Sequence, residues 1–187
     1  VQYAKQYPDI IKMIAVGNEA MVHWATSYFV PPSVILKWVN YLQELKRKGD
    51  LPSDLWITSS DDFAAWGGAS DNYHTEDLNR LIAAVDFVSM HTYAFHNSHY
   101  SPDYWYSRDP SLSKIEQIDA SMQRAGEFAI GQYNYVKQYI LSLGIDKPIH
   151  IGETGWATAS NGFYGAEGSQ AADEYKSKKY YDYLRKW

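Results

Sequence analysis

Two glutamates stand where carboxyl groups could do acid–base work. Glu19 lies in AVGNEA and Glu153 in HIGETGW, each following an apolar run and a glycine. Two carboxyl groups meeting across a cleft divide proton donation and acceptance, because burial and mutual repulsion push their pKa values apart. In a retaining glycosidase one attacks the sugar, and the other protonates the departing oxygen and then activates water. Their carboxyl groups then stand roughly 5 to 5.5 Å apart. Taken singly, each glutamate reads more simply as a salt-bridge partner or a cap of the next helix. The matched contexts of the pair favour catalysis. His91, His96 and His99 raise the alternative of a metal site, but the latter two fall in an expected loop and no H-E-x-x-H occurs. Packing or surface roles are expected for them, with no metal and no cofactor. No phosphate-binding loop or serine nucleophile elbow is present either.

The rest of the composition narrows the class. The chain has 187 residues, 45% of them hydrophobic, which suits one compact domain over 1–187. A net charge of −5 without a long basic block argues against nucleic acid. No run reaches the ~18 to 20 apolar residues of a membrane span, so no membrane partner is expected. The first residues, VQYAKQYPDIIK, contain no signal-peptide core. Zero cysteines exclude disulfides, thiolate metal sites and a cysteine nucleophile. Against that plain background, 17 Tyr, 7 Trp and 6 Phe are many. Such rings offer a flat apolar face, and Tyr and Trp add a polar handle, which suits a hydroxylated ligand with hydrophobic faces.

Four short apolar runs alternate with helical segments and must position these groups. Strands are expected over Ile11–Val16, Leu55–Thr58, Phe87–Thr92 and Ile149–Ile151. One helix follows Pro31-Pro32, with Ser33 as its N-cap, Gly49 past its end and Ile35, Trp38, Leu42 and Leu45 on its buried face. Others are expected near Thr75–Ala84, Lys114–Ser142 and Ser169–Lys186, with loops over Ser59–His74 and His96–Ser113. Alternating strands and helices imply right-handed βαβ units on a parallel sheet, where ligands sit at the carboxyl ends of the strands. Polar residues do gather there: Asn18 and Glu19, then Ser59 to Asp62, then His91 and Tyr93, then Glu153.

These segments resemble the retaining clan A glycoside hydrolases, and within them glycoside hydrolase family 17, the β-1,3-glucanases. Asn18-Glu19 in VGNEA is similar to that family's acid/base segment, Glu153-Thr154-Gly155-Trp156 to its nucleophile segment, and VSMHTYAF to the stretch between. Ala157 stands where the family usually has proline, which points away from its plant branch. The resemblance implies Glu153 as nucleophile and Glu19 as acid/base. It implies Asn18 on the sugar 2-hydroxyl, Tyr93 donating to the nucleophile, His91 among the sugar-binding groups, and Trp156 as an apolar wall beneath the reacting sugar. Asp61 and Asp62 could hold sugar hydroxyls, although solvated loop carboxylates are the simpler reading. Trp66, Tyr100, Tyr104, Trp105 and Tyr106 could stack on glucose rings.

The family fold is an eight-stranded (β/α) TIM-type barrel of about 250 residues. Four βα units are countable here, corresponding by resemblance to strands 4–7, which reads as a half-barrel. On a flat sheet, strands three positions apart lie roughly 14 Å from each other. Barrel curvature is needed to aim Glu19 and Glu153 at one point. The implied activity is endo-hydrolysis of β-1,3-glucan, weak or absent at this length, in an extracellular or periplasmic setting. Glucan transglycosylation and a catalytically inactive half-barrel scaffold are the alternatives. Self-association through the open face is a further expectation, since two sheet edges would be left unpaired.

Overall fold

The computed structural model describes residues 1–100, 109–160 and 171–187, without the side chain of His99. Tyr104, Trp105 and Tyr106 lie outside the described residues. The chain forms two compact units, one of Val1–His91 with Tyr133–Gly152 and the other of Thr92–Gln132 with Glu153–Trp187.

The first unit carries the sheet. Its elements are α1 (Gln2–Gln6), β1 (Met13–Asn18), α2 (Pro32–Arg47), β2 (Trp56–Asp62), α3 (Glu76–Ala84) and β3 (Val88–His91). The sheet has strand order β1-β2-β3-β4, where β4 is Ile149–Glu153, and β1–β2 and β2–β3 pair in parallel. A register irregularity between Ala15 and Asn18 bends β1 just before Glu19.

β1, β2 and β4 run past the C-terminal ends of their apolar stretches, whereas β3 is shorter than the expected Phe87–Thr92. β2 was expected to stop at Thr58, yet its ladder continues through Ser60↔Ser89, Asp61↔Met90 and Asp62↔His91. The polar side chains tolerate this because they find partners: Thr58 Oγ1 donates to the Phe87 carbonyl at 2.6 Å, and Ser60 meets Ser89 at 2.8 Å. Asn18 and Glu153 likewise end strands rather than follow them.

Apolar packing on the helix side of the sheet holds the unit together. Ile57, Val88 and Met90 meet Leu78, Leu81 and Ile82 of α3 and Ile35 and Val39 of α2 in one buried cluster. Full burial of a side chain such as Leu81 stabilises by about 1.5–3 kcal/mol. Thr75 caps α3 by accepting from the Leu78 amide at 3.2 Å, and Glu76 and Asp77 in the first turn suit the positive end of its dipole. The face of α2 differs from the spacing-based expectation: Val39 is buried, whereas Trp38 is 51% exposed. Ser33 sits inside this helix and Pro31 caps it, because Pro32, lacking an N–H, suits the first helical position. α2 closes in a Schellman turn, with Gly49 at φ 77° and bonds from the Gly49 amide to Lys46 and the Asp50 amide to Leu45.

The second unit contains α4 (Ala94–Tyr100), the first part of α5 (Lys114–Ser142) and α6 (Glu174–Leu184). α4 replaces the start of the loop expected from His96, and its Ala94 is fully buried. Met122, Ala125 and Ala129 of α5 pack with Ala94, Trp156 and Tyr180. Asp173 caps α6 by accepting from the Lys176 amide at 3.0 Å.

After β2, a π-helical turn (Ala64–Gly68) places Gly67 at φ 86°, where an added Cβ would overlap the Tyr139 ring. Gly67→Ala therefore combines backbone strain with overpacking and is expected to cost about 2–4 kcal/mol. Gly49→Ala, with open space around the site, is expected to cost only about 1 kcal/mol. Urea unfolding of the two variants checks this difference.

Candidate active site

Glu19 is set by its backbone. It is the one non-glycine residue with positive φ among the described residues, at 46°. That conformation is costly for a side chain with a Cβ and persists only where neighbours impose it. Two such neighbours are present. The Glu19 amide donates to the Ser60 carbonyl at 2.9 Å, and the Met21 amide, two residues on, donates to Asp61 Oδ2 at 2.9 Å. Asp61 is fully buried, so β2 fixes the turn that follows β1 from both sides of Glu19.

The Glu19 carboxylate meets His91. Nδ1 of that ring lies 3.0 Å from Glu19 Oε1, and Nε2 lies 2.7 Å from Ser60 Oγ. His91 is fully buried with both ring nitrogens engaged, so it is a partner of Glu19 rather than the sugar ligand expected from sequence. Asn18, exposed at the end of β1, has no side-chain hydrogen bond to a described residue. Asp62 is half-buried and accepts from the Ala64 amide at 2.9 Å.

Burial dominates the electrostatics of the two aspartates, which are not the solvated loop carboxylates of the simpler sequence reading. It pushes Asp61 up to about 6, against the pull of the Met21 and Asp62 amides and His91. It pushes Asp62 up to about 7; the Ala64 amide opposes this, and the charges of Asp61 and Glu19 add to it.

Trp66 is also corrected. Its ring is fully buried and its indole N–H donates to the Ser89 carbonyl at 2.9 Å, so it offers no face to a sugar. The loop after β1 instead exposes Trp24 at 63%, with Tyr28 and Phe29 beside it in sequence. That loop is anchored: His23 stacks on Tyr73 at 3.9 Å between ring centres, and its amide donates to the Tyr73 hydroxyl at 3.0 Å. Sequence reasoning missed Trp24, although an aromatic cluster soon after Asn18-Glu19 was the available signal.

In the second unit, the Tyr93 hydroxyl donates to Glu153 Oε2 at 2.9 Å. The Thr92 amide holds the Glu153 carbonyl at 3.0 Å, so residues next to each other in β3's extension grip both ends of the glutamate. Thr154 shares a 2.7 Å hydrogen bond with the Tyr180 hydroxyl. Trp156 is 7% exposed, with its indole N–H on the Ala171 carbonyl at 2.9 Å and its ring against Phe95 and Tyr180. It is a core ring of this unit rather than an open wall. Tyr100 is exposed at the end of α4, and His96 lies exposed on the same helix.

No family model matches the chain, and no curated protein does. Among solved structures, the chain is similar to an endo-laminarinase from Formosa Hel1_33_131, at 59% identity and a TM-score of 0.95. The match covers 100% of this chain and 48% of that one, so the chain spans about half the length of that enzyme. A beta-1,3-glucanase and allergen of Cryptomeria japonica pollen shares the fold at 14% identity and a TM-score of 0.58, over 89% of this chain and 55% of the other. The fold is thus α/β, four βα units of the (β/α)-barrel type.

The raised position of Asp62 has a consequence for stability. An acid whose folded-state pKa lies above its unfolded value takes up a proton on folding, so stability is lost as pH rises through that interval. For Asp62 the interval runs from its ordinary value, 3.8, to about 7. Asp62→Asn keeps an oxygen for the Ala64 amide and removes the ionisation. Its melting temperature relative to the parent is expected to rise as pH goes from 3.8 to about 7 and to level off above that. Calorimetry across that range would show a constant difference if Asp62 ionised normally.

Proposed function

We propose that the chain belongs to a retaining endo-β-1,3-glucanase related to glycoside hydrolase family 17, with Glu153 as nucleophile and Glu19 as acid/base. The observation that carries this reading is the 59% identity to an endo-laminarinase over the whole chain. The site chemistry supports it. Glu153 receives a hydroxyl hydrogen bond from Tyr93, which holds one carboxyl oxygen in a fixed orientation for attack by the other. Glu19 is part-exposed, with one oxygen engaged by His91, which leaves the other available to a glycosidic oxygen.

In this mechanism the Glu153 carboxylate attacks the anomeric carbon as Glu19 passes its proton to the leaving oxygen. Glu19, now ionised, then takes a proton from the water that hydrolyses the glycosyl ester, and the anomeric configuration is kept. Asn18 hydrogen-bonds the sugar 2-hydroxyl beside the acid in this reading. Trp24 offers a glucose ring an open indole face on an anchored loop.

Laminarin assays and covalent trapping test the assignment. A 2-fluoro laminaribiosyl fluoride is expected to add its glycosyl mass to the peptide containing Glu153, even where turnover of the 187-residue chain is weak. Glu153→Ala is expected to abolish laminarin cleavage. Glu19→Ala should slow it by about 10²–10⁴-fold while sparing aryl glycosides with good leaving groups, which need little protonation. Labelling at another residue would overturn the assignment of the nucleophile.

A further inference from the structure

Behind Glu19 runs a hydrogen-bonded chain that the catalytic reading leaves unused. Glu19 Oε1 lies 3.0 Å from His91 Nδ1, His91 Nε2 lies 2.7 Å from Ser60 Oγ, and Ser60 Oγ lies 2.8 Å from Ser89 Oγ. Ser60 and Ser89 are directly paired across β2 and β3, and His91 faces Asp62 two positions along the same ladder. Space for the two hydroxyls comes from β4. A Cβ at Gly152 would overlap Ser89 Oγ and stand 2.9 Å from Ser60 Oγ and 3.5 Å from His91 Cδ2.

The donor and acceptor inventory gives this chain a direction. A neutral imidazole has one N–H and one lone pair, and an ionised carboxylate only accepts. Where Glu19 Oε1 only accepts, as in the carboxylate or in the acid with its proton on Oε2, the ring proton sits on Nδ1, and Nε2 then needs a donor in a fully buried place. Ser60 can supply it only by spending its single O–H on the ring, and Ser89 then donates to the Ser60 oxygen. Every hydrogen points towards Glu19.

We propose that Ser60 and Ser89 are positioning residues that hold His91 as its Nδ1–H tautomer, so that the ring fixes Glu19 Oε1 and leaves Oε2 to the substrate, with Gly152 kept bare to admit them. The functional half of this inference rests on the assignment of Glu19 as acid/base. The tautomer does not.

Long-range ¹H–¹⁵N correlation spectra of the histidine side chains in the 187-residue chain separate the two. The His91 signals are identified by their loss in His91→Gln. A protonated Nδ1 and a bare, hydrogen-bonded Nε2 are expected in the parent protein. Ser60→Ala should move the Nε2 signal towards that of a lone pair without a donor. Ser89→Ala should move it less in the same direction, and Gly152→Ala should reproduce Ser89→Ala. Circular dichroism shows that each variant is folded, and Ser89→Ala serves if Ser60→Ala is not. In kinetics, Ser60→Ala is expected to lower kcat on laminarin about tenfold more than on an aryl glycoside with a good leaving group, because only the former depends on the proton. A parent ring protonated on Nε2 alone, or an Nε2 signal unmoved in folded Ser60→Ala and Ser89→Ala, overturns the proposal. The expected spectra together with a Glu19→Ala variant that cleaves laminarin as fast as its parent would instead tell against the acid/base role of Glu19 and leave the tautomer assignment standing.

Discussion

The arrangement of the first unit depends on how β2 grips the turn after β1. The Ser60 carbonyl and the buried Asp61 carboxylate take the amides of Glu19 and Met21, and between them the chain is forced through a left-handed conformation. A turn of this kind cannot be held by apolar packing, which has no direction. It needs two acceptors at fixed places on a rigid neighbour, and a central strand supplies them. Burial of Asp61 makes the grip firm and also makes the carboxyl reluctant to ionise. The same low-dielectric setting therefore strengthens the hydrogen bond and weakens the acid.

The polar ends of the strands follow from the same logic. Thr58, Ser60, Ser89 and His91 would each weaken a sheet if left without partners. Here Ser60, Ser89 and His91 satisfy one another across neighbouring strands, Thr58 donates to the Phe87 carbonyl, and among the described residues no buried side-chain nitrogen or oxygen lacks a hydrogen bond. The apolar helix-facing side of the sheet provides cohesion, and the opposite side is free to carry chemistry. Tyr93 and Glu153 repeat the pattern in the second unit, where a strand end and the second residue past another strand make a polar pair.

Four apolar runs and their helical partners were enough to read four βα units, and Lys114–Ser142 emerges as a single helix with those bounds. The glutamates were legible because a glycine and a strand precede each. The ends of the strands were not, since Ser59 to Asp62 carry no apolar signal and hold their ladder through cross-strand bonds. The role of His91 needed the register Asp62↔His91 and Ser60↔Ser89, which no linear pattern reveals. Trp38 and Val39 differ by one step of 100° around a helix, and spacing alone chose the wrong neighbour. Trp66 lies in what reads as a solvent loop, yet a turn after β2 folds its indole back onto Ser89. α4 was hidden by its Phe, His, Asn and Tyr residues, which are weak helix formers.

The left-handed backbone at Glu19 also bears on how this protein can be improved. Glycine or asparagine would relax that position, so a search guided by heat resistance alone would favour discarding the carboxylate. Under the proposed acid/base role of Glu19, robustness and catalysis pull in opposite directions at one residue. A thermostabilising library that leaves residue 19 free to vary would then enrich for well-folded proteins that have lost the proposed acid.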